Sequence, residues 1–110
     1  MGSQVVRVDA LRSLAFGSIS GTYAALGIPF AHTMRIVCIS NNTNAELFIS
    51  FDNINDNLFI PAFGFKLFDM TTNRNDPDQA FQFIIGTQVY VKGSPSSGSV
   101  YLEAVYGQGE

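Results

Sequence analysis

The chain has 110 residues, enough for one domain around a single core. Hydrophobic residues make up 46% and charged residues only 14%, against a usual charged share of about a quarter, so neutral Asn, Ser, Thr and Gln, or another protein, must cover what Lys and Glu normally cover. A net charge of −3 with six scattered Lys and Arg forms no basic stripe and argues against nucleic acid as a partner, and no apolar run approaches the roughly 20 residues needed to cross a bilayer.

Residues 4–8 are a short apolar run, and 9–14 read either as a helical turn or as the continuation of an extended arm. We take 1–13 as an N-terminal arm and 14–110 as the folded domain. The opening lacks a basic stretch followed by an apolar one, so synthesis in a cytoplasm is expected. Met1-Gly2-Ser3 begins like a myristoylation site, but Val6 stands where Ser or Thr is required. Residues 14–20 suggest an edge strand interrupted by Gly17, and 21–30, with two glycines and a proline, a loop crossing.

Residues 33–52, TMRIVCISNNTNAELFISFD, form the centre of the pattern. Two arms rich in β-branched and aromatic residues flank the Asn/Thr-rich turn 41–44, which predicts a hairpin. In the second arm Leu47, Ile49 and Phe51 alternate with Glu46, Ser50 and Asp52, the mark of a half-buried strand. The first arm contains the unbroken run Val37-Cys38-Ile39, as in a strand covered on both faces.

Beyond the polar cluster 52–57, residues 58–60 predict a short strand stopped by Pro61, and 65–69 a strand with Phe65 and Leu67 on one face. The polar segment 71–79 is a surface loop. Residues 80–85 alternate again, and a second hairpin is expected between 88–92 and 99–106 across the turn 93–98. About eight short strands at this spacing, with no 3.6-residue periodicity, predict an all-β fold. It would be a single antiparallel β-sandwich of jelly-roll or Ig-like type with an extended N-terminal arm.

The inward set is expected to be Leu47, Ile49, Phe51, Phe65, Leu67, Phe81, Phe83, Val89, Val91, Leu102 and Ala104. Phe48, Phe68, Ile84, Tyr90, Tyr101 and Val105 then fall on the opposite faces. That is more exposed apolar surface than a solitary monomer carries. Either the assignment slips on one or two strands, or these residues meet other subunits. With Val5, Val6 and Leu11 of the arm they are the candidate interface residues.

No catalytic pattern emerges. His32 is the single histidine and reads as a loop residue bonded to backbone, and no G-x-S-x-G elbow is present. Asp52 to Asn57 departs from a calcium-binding EF loop, since Ile54 stands where an oxygen is needed. Cys38 reads as a buried small hydrophobe. Asn41-Asn42-Thr43 spells a glycosylation sequon but reads as a turn. Tyr23, Tyr90, Tyr101 and Tyr106 are stacking candidates for a glycan, with interface or core roles the simpler reading. No cofactor, no metal and no enzyme activity are expected.

Three stretches, SISGTYAALGIPFAHTMRIVCISNNTNAELFISFD, NLFIPAFGFKLFDMTTNR and VYVKGSPSSGSVYLEAVYG, make the chain resemble small structural proteins of tailed bacteriophages. That resemblance implies a virion component in many symmetric copies, a capsid decoration or a neck/collar protein, made in the host cytoplasm. Its partners would be other virion proteins and further copies of itself, with no catalysis. It departs from the family pattern where Thr33 follows His32 and where Phe63 precedes Gly64. A host-surface or glycan-binding module is the alternative.

Overall fold

The computed structural model describes residues 5–69 and 84–108. Nine strands follow in order: β1 (Val5–Val8), β2 (Arg12–Ala15), β3 (Ala24–Ala25), β4 (Met34–Thr43), β5 (Leu47–Ser50), β6 (Leu58–Ile60), β7 (Phe65–Asp69), β8 (Tyr90–Gly93) and β9 (Gly98–Gln108). A 3₁₀ turn, Phe16–Ser18, follows β2, and no α-helix occurs among the described residues. All pairings are antiparallel. One sheet runs β1-β9-β4-β7 with β2 also on β9, and the other runs β3-β8-β5-β6.

The two sheets share one core. Val37 and Ile39 of β4 and Val100, Leu102 and Ala104 of β9 meet Leu47, Ile49, Ile60 and Val91 of the other sheet, joined by Leu26, Phe30 and Val89 from the connections. Each fully buried Leu, Ile or Met contributes about 1.5–3 kcal/mol relative to exposure. The alternation expected for residues 47–49, 89–91 and 102–104 holds.

Both expected hairpins are instead arches that carry the chain from one sheet to the other. β4 pairs with β9 and β7, whereas β5 pairs with β8 and β6. Residues 44–46 cross between them, and 94–97 carry β8 to β9. Three extended residues span about 10 Å, which matches the gap between packed sheets.

The arches lie side by side and are pinned by asparagine. Asn44 Oδ1 accepts from the Ser96 and Ser97 amides at 2.9 and 3.3 Å, and its Nδ2 donates to Ser96 Oγ at 2.6 Å. Beneath them the buried Asn41 donates to the carbonyls of Ala45, Ile60 and Pro61 at 2.9, 3.1 and 3.0 Å, and accepts from the Thr43 amide and hydroxyl. Gly98 starts β9 at φ +90° with the Asn42 carbonyl in the space a Cβ would occupy, so no other residue fits.

On the edge of the five-stranded sheet Val8 opposes Val105 and Arg12 opposes Leu102. Four steps on the edge therefore answer three on β9. Residues 9–11 thus span the interval that Ala104 and Glu103 span on β9, as in a β-bulge, and the Asp9 amide donates to the Ala104 carbonyl at 2.8 Å. The bulge turns Arg12 to the inner side. There its Nη1 meets Asp9 Oδ2 at 2.9 Å, its Nε donates to the Ile28 carbonyl at 3.2 Å, and its guanidinium lies 5.0 Å from the Phe30 ring centre.

On β7 the faces are the reverse of those expected. Phe68, opposite Val37, packs against the core, whereas Phe65 and Leu67 stand 65% and 58% exposed. In FKLFD both faces are apolar, so alternation alone does not select one. The strand expected at 80–85, with Phe81 and Phe83, and the 71–79 loop lie almost wholly outside the described residues.

Candidate functional site

The outer face of the five-stranded sheet brings several exposed apolar side chains together. Register sets its rows across β1/β2, β9, β4 and β7: Val8, Val105, Ile36 and Asp69; then Leu11, Glu103, Cys38 and Leu67; then Ser13, Tyr101, Ser40 and Phe65. Val8 is 76% and Leu11 59% exposed, while Ile36, Cys38, Tyr101 and Val105 are half-buried by their neighbours. With Phe65 and Leu67, the four most exposed side chains alone present on the order of 400–500 Å² of apolar surface. A monomer's largest apolar patch is of similar size before the half-buried residues are added. Local β-branched and aromatic content forms the strands, and the bulge opposite Glu103 leaves Leu11 at the solvent-exposed edge.

Of the residues named from sequence, Leu11, Tyr101 and Val105 come together on this face. Val8, Ile36, Phe65 and Leu67 join them unannounced; the signal that could have found them is strand pairing, which no local pattern carries. Val5 and Val6 lie in β1, paired with Gln108 and Gly107. Phe68 belongs to the core side. Ile84 is exposed in the turn before Gly86. Cys38, expected as a buried hydrophobe, is half-buried on this outer face, with Sγ 3.8 Å from Ser40 Oγ.

Phe48 and Tyr90 lie on the outer face of the other sheet. Phe48 and Phe59 are register partners with ring centres 5.6 Å apart. Lys92, opposite Phe48, reaches the Tyr23 ring at 4.8 Å and Asp56 Oδ1 at 3.1 Å, and the Tyr23 hydroxyl donates to the same carboxylate. Desolvation and that bond push the Tyr23 hydroxyl up to about 12. The bonds from Tyr23 and then Lys92 hold Asp56 below the usual carboxylate value.

The 52–57 loop is organised by its own side chains. Asp52 Oδ1 accepts from the Ile54 and Asn55 amides and Ser50 Oγ at 2.8–2.9 Å, and Oδ2 from Asn55 Nδ2 at 2.7 Å. The backbone amides above all hold its carboxyl far below the usual range. Asp52 thus acts as a turn former. His32 stacks on Tyr106 with ring centres 3.8 Å apart and 2° between planes. Among the described residues no group of three or more His, Cys, Asp or Glu is placed to hold a metal ion, and no helix is long and apolar enough to cross a membrane.

One further feature stands at the end of the sandwich that carries the arches. Pro61 to Gly64 is a turn closed by the Gly64 amide on the Pro61 carbonyl at 3.0 Å, and its third residue, Phe63, has φ +59° and is 70% exposed. A large side chain in the left-handed region costs about 1–2 kcal/mol.

In comparisons with known proteins, no family model, no curated protein and no solved structure matches this chain.

Proposed function

We propose that the chain is a non-enzymatic structural component of a tailed-phage virion, a capsid decoration or neck/collar protein that adheres to other virion subunits. The observation that carries this reading is the apolar outer face of the five-stranded sheet, built from Val8, Leu11, Ile36, Phe65, Leu67, Tyr101 and Val105. Burying such a face on a neighbour stabilises an assembly whose parts are soluble alone. Residues 1–13 act as an arm in this reading, with β1 and β2 anchoring it to β9. Many copies would surround a symmetry axis, and neither nucleic acid nor membrane is a partner.

Strand order supports the jelly-roll version of the sandwich over the Ig-like one. With β1 and β2 counted as a single edge strand, the eight strands pair first with eighth, second with seventh, third with sixth and fourth with fifth. That is the order of one long hairpin rolled up on itself. Jelly rolls serve in viral capsids and in lectins, which accords with the proposal and with its alternative.

The alternative, a glycan-binding module, draws on the row Phe59, Phe48, Lys92 and Tyr23 with Asp56 at its end. Peptide mass spectrometry of phage particles purified from the producing bacteria separates the two. The proposal expects the chain in particles at a fixed ratio to the major capsid protein. A chain missing from particles but retained on immobilised oligosaccharide would overturn it in favour of the alternative.

A further inference from the structure

Register places two carboxylates, Glu103 and Asp69, on the outer face of the five-stranded sheet. Glu103 is exposed near the middle of that face, between Tyr101 and Val105 on its own strand, with Cys38 on one side and the Ala10–Leu11 bulge on the other. Among the described residues no basic side chain pairs with it. Arg7 and Lys66 belong to the opposite face, in register with Tyr106 and Ile39. Arg12 is held by Asp9 and Lys92 by Asp56, and Arg35 has contacts of its own.

While the face is wet, water solvates Glu103. Once a partner covers the surrounding apolar side chains, the carboxylate must meet a cation, because a dry unpaired charge is strongly unfavourable. A second copy docking face to face about a two-fold axis sets central residues against each other, and here that opposes carboxylate to carboxylate. We infer, resting on the virion reading above, that this face docks a different polypeptide whose apolar surface carries a lysine or arginine aimed at Glu103. The apolar rim supplies adhesion, and the charge pair selects the partner and its orientation.

The test uses phage carrying the full chain with Glu103→Gln, and separately phage in which photoreactive benzoylphenylalanine replaces Tyr101. The inference expects Glu103→Gln to lower the amount of chain per particle at least tenfold while its urea midpoint and its oligomeric state in isolation stay those of the wild type. It also expects the cross-link from position 101 to land on a different polypeptide, beside a Lys or Arg. Wild-type loading of Glu103→Gln, or its self-association, would reduce Glu103 to a charge that keeps the face soluble and would overturn the inference. A cross-link to a second copy of this chain would do the same. If the wild-type chain is itself missing from particles, the virion reading fails and takes the inference with it. If the wild-type chain is present and Glu103→Gln loads equally well, only the inference fails.

Discussion

Phe65 and Phe68, three residues apart on β7, stand on opposite sides of the same strand: Phe65 points to solvent opposite Ser40, and Phe68 lies against the core opposite Val37. Replacing Phe68 by Ala is expected to destabilise the fold by about 2–3 kcal/mol, below the full penalty for a wholly buried ring. Replacing Phe65 by Ser should move stability by no more than about 0.5 kcal/mol while impairing attachment to particles. Urea unfolding of the two purified variants checks the contrast, and equal losses would place both rings in the core.

Asn41 ties the two sheets together through one side chain. Its amide reaches Ile60 and Pro61 beyond the arch as well as Ala45 within it. Asn41→Ala leaves the buried Ile60 carbonyl and the partly buried Ala45 and Pro61 carbonyls without this donor and the Thr43 amide without its acceptor, at a cost of about 2–3 kcal/mol. Chemical denaturation measures it, and a loss under about 1 kcal/mol would show that water replaces the side chain.

Asp9 should contribute to acid sensitivity, alongside Asp52 and Asp56. Burial raises its carboxyl pKa, but the hydrogen bonds from Arg12 and the Ala10 amide, with the nearby charges of Arg12 and His32, outweigh this and hold it below the ordinary 3.8. A carboxyl whose folded value is depressed stabilises the fold above its unfolded value, and that stabilisation is lost as pH falls through the folded value. Asp9→Asn is therefore expected to cost about 1–2 kcal/mol at neutral pH, where it strands a buried guanidinium. The gap between wild type and variant should close as pH falls below the ordinary 3.8 and through the depressed folded value. Unfolding curves across that range test the sign.

Phe63 occupies a backbone conformation that favours glycine. Phe63→Gly is expected to stabilise the isolated chain by about 0.5–1 kcal/mol, the relief of strain being partly offset by glycine's greater freedom when unfolded. A rise in thermal midpoint accompanied by weaker attachment would mark Phe63 as a contact retained against the interest of the fold.

The strands were readable from residue type because Val, Ile and Phe alternate between Gly, Asn and Pro signals, and the facing of Leu47, Ile49, Leu102 and Ala104 followed directly. What could not be read was partnership. The 44–46 and 94–97 segments have the chemistry of hairpin turns, but a turn that joins neighbours in one sheet and one that crosses between sheets use the same residues. Only the distant pairings of β4 with β9 and β5 with β8 decide the matter. The β7 inversion has a related cause, since Leu67 and Phe68 are adjacent and only contact with Val37 shows which of them is inside. The bulge at Ala10–Leu11 left no signal at all, and with it the inward turn of Arg12 and the company of Leu11 on the outer face stayed hidden. The candidate site was thus legible as three residues out of a surface, without the sheet that assembles them.

β9 is the strand on which β1, β2 and β4 all depend. As the chain leaves the ribosome, β4 has its strand partner β7 after residue 69, whereas among the described residues the strand partner of β1 and β2 is β9, residues 98–108. For most of synthesis β1 and β2 therefore wait without that partner, exposed to whatever else offers a β-edge. Their capture by the last strand closes the sheet and, in the same event, brings Val8 and Leu11 beside Val105 and Glu103. The apolar outer face is thus assembled only once β9 has paired with both β4 and the edge strands.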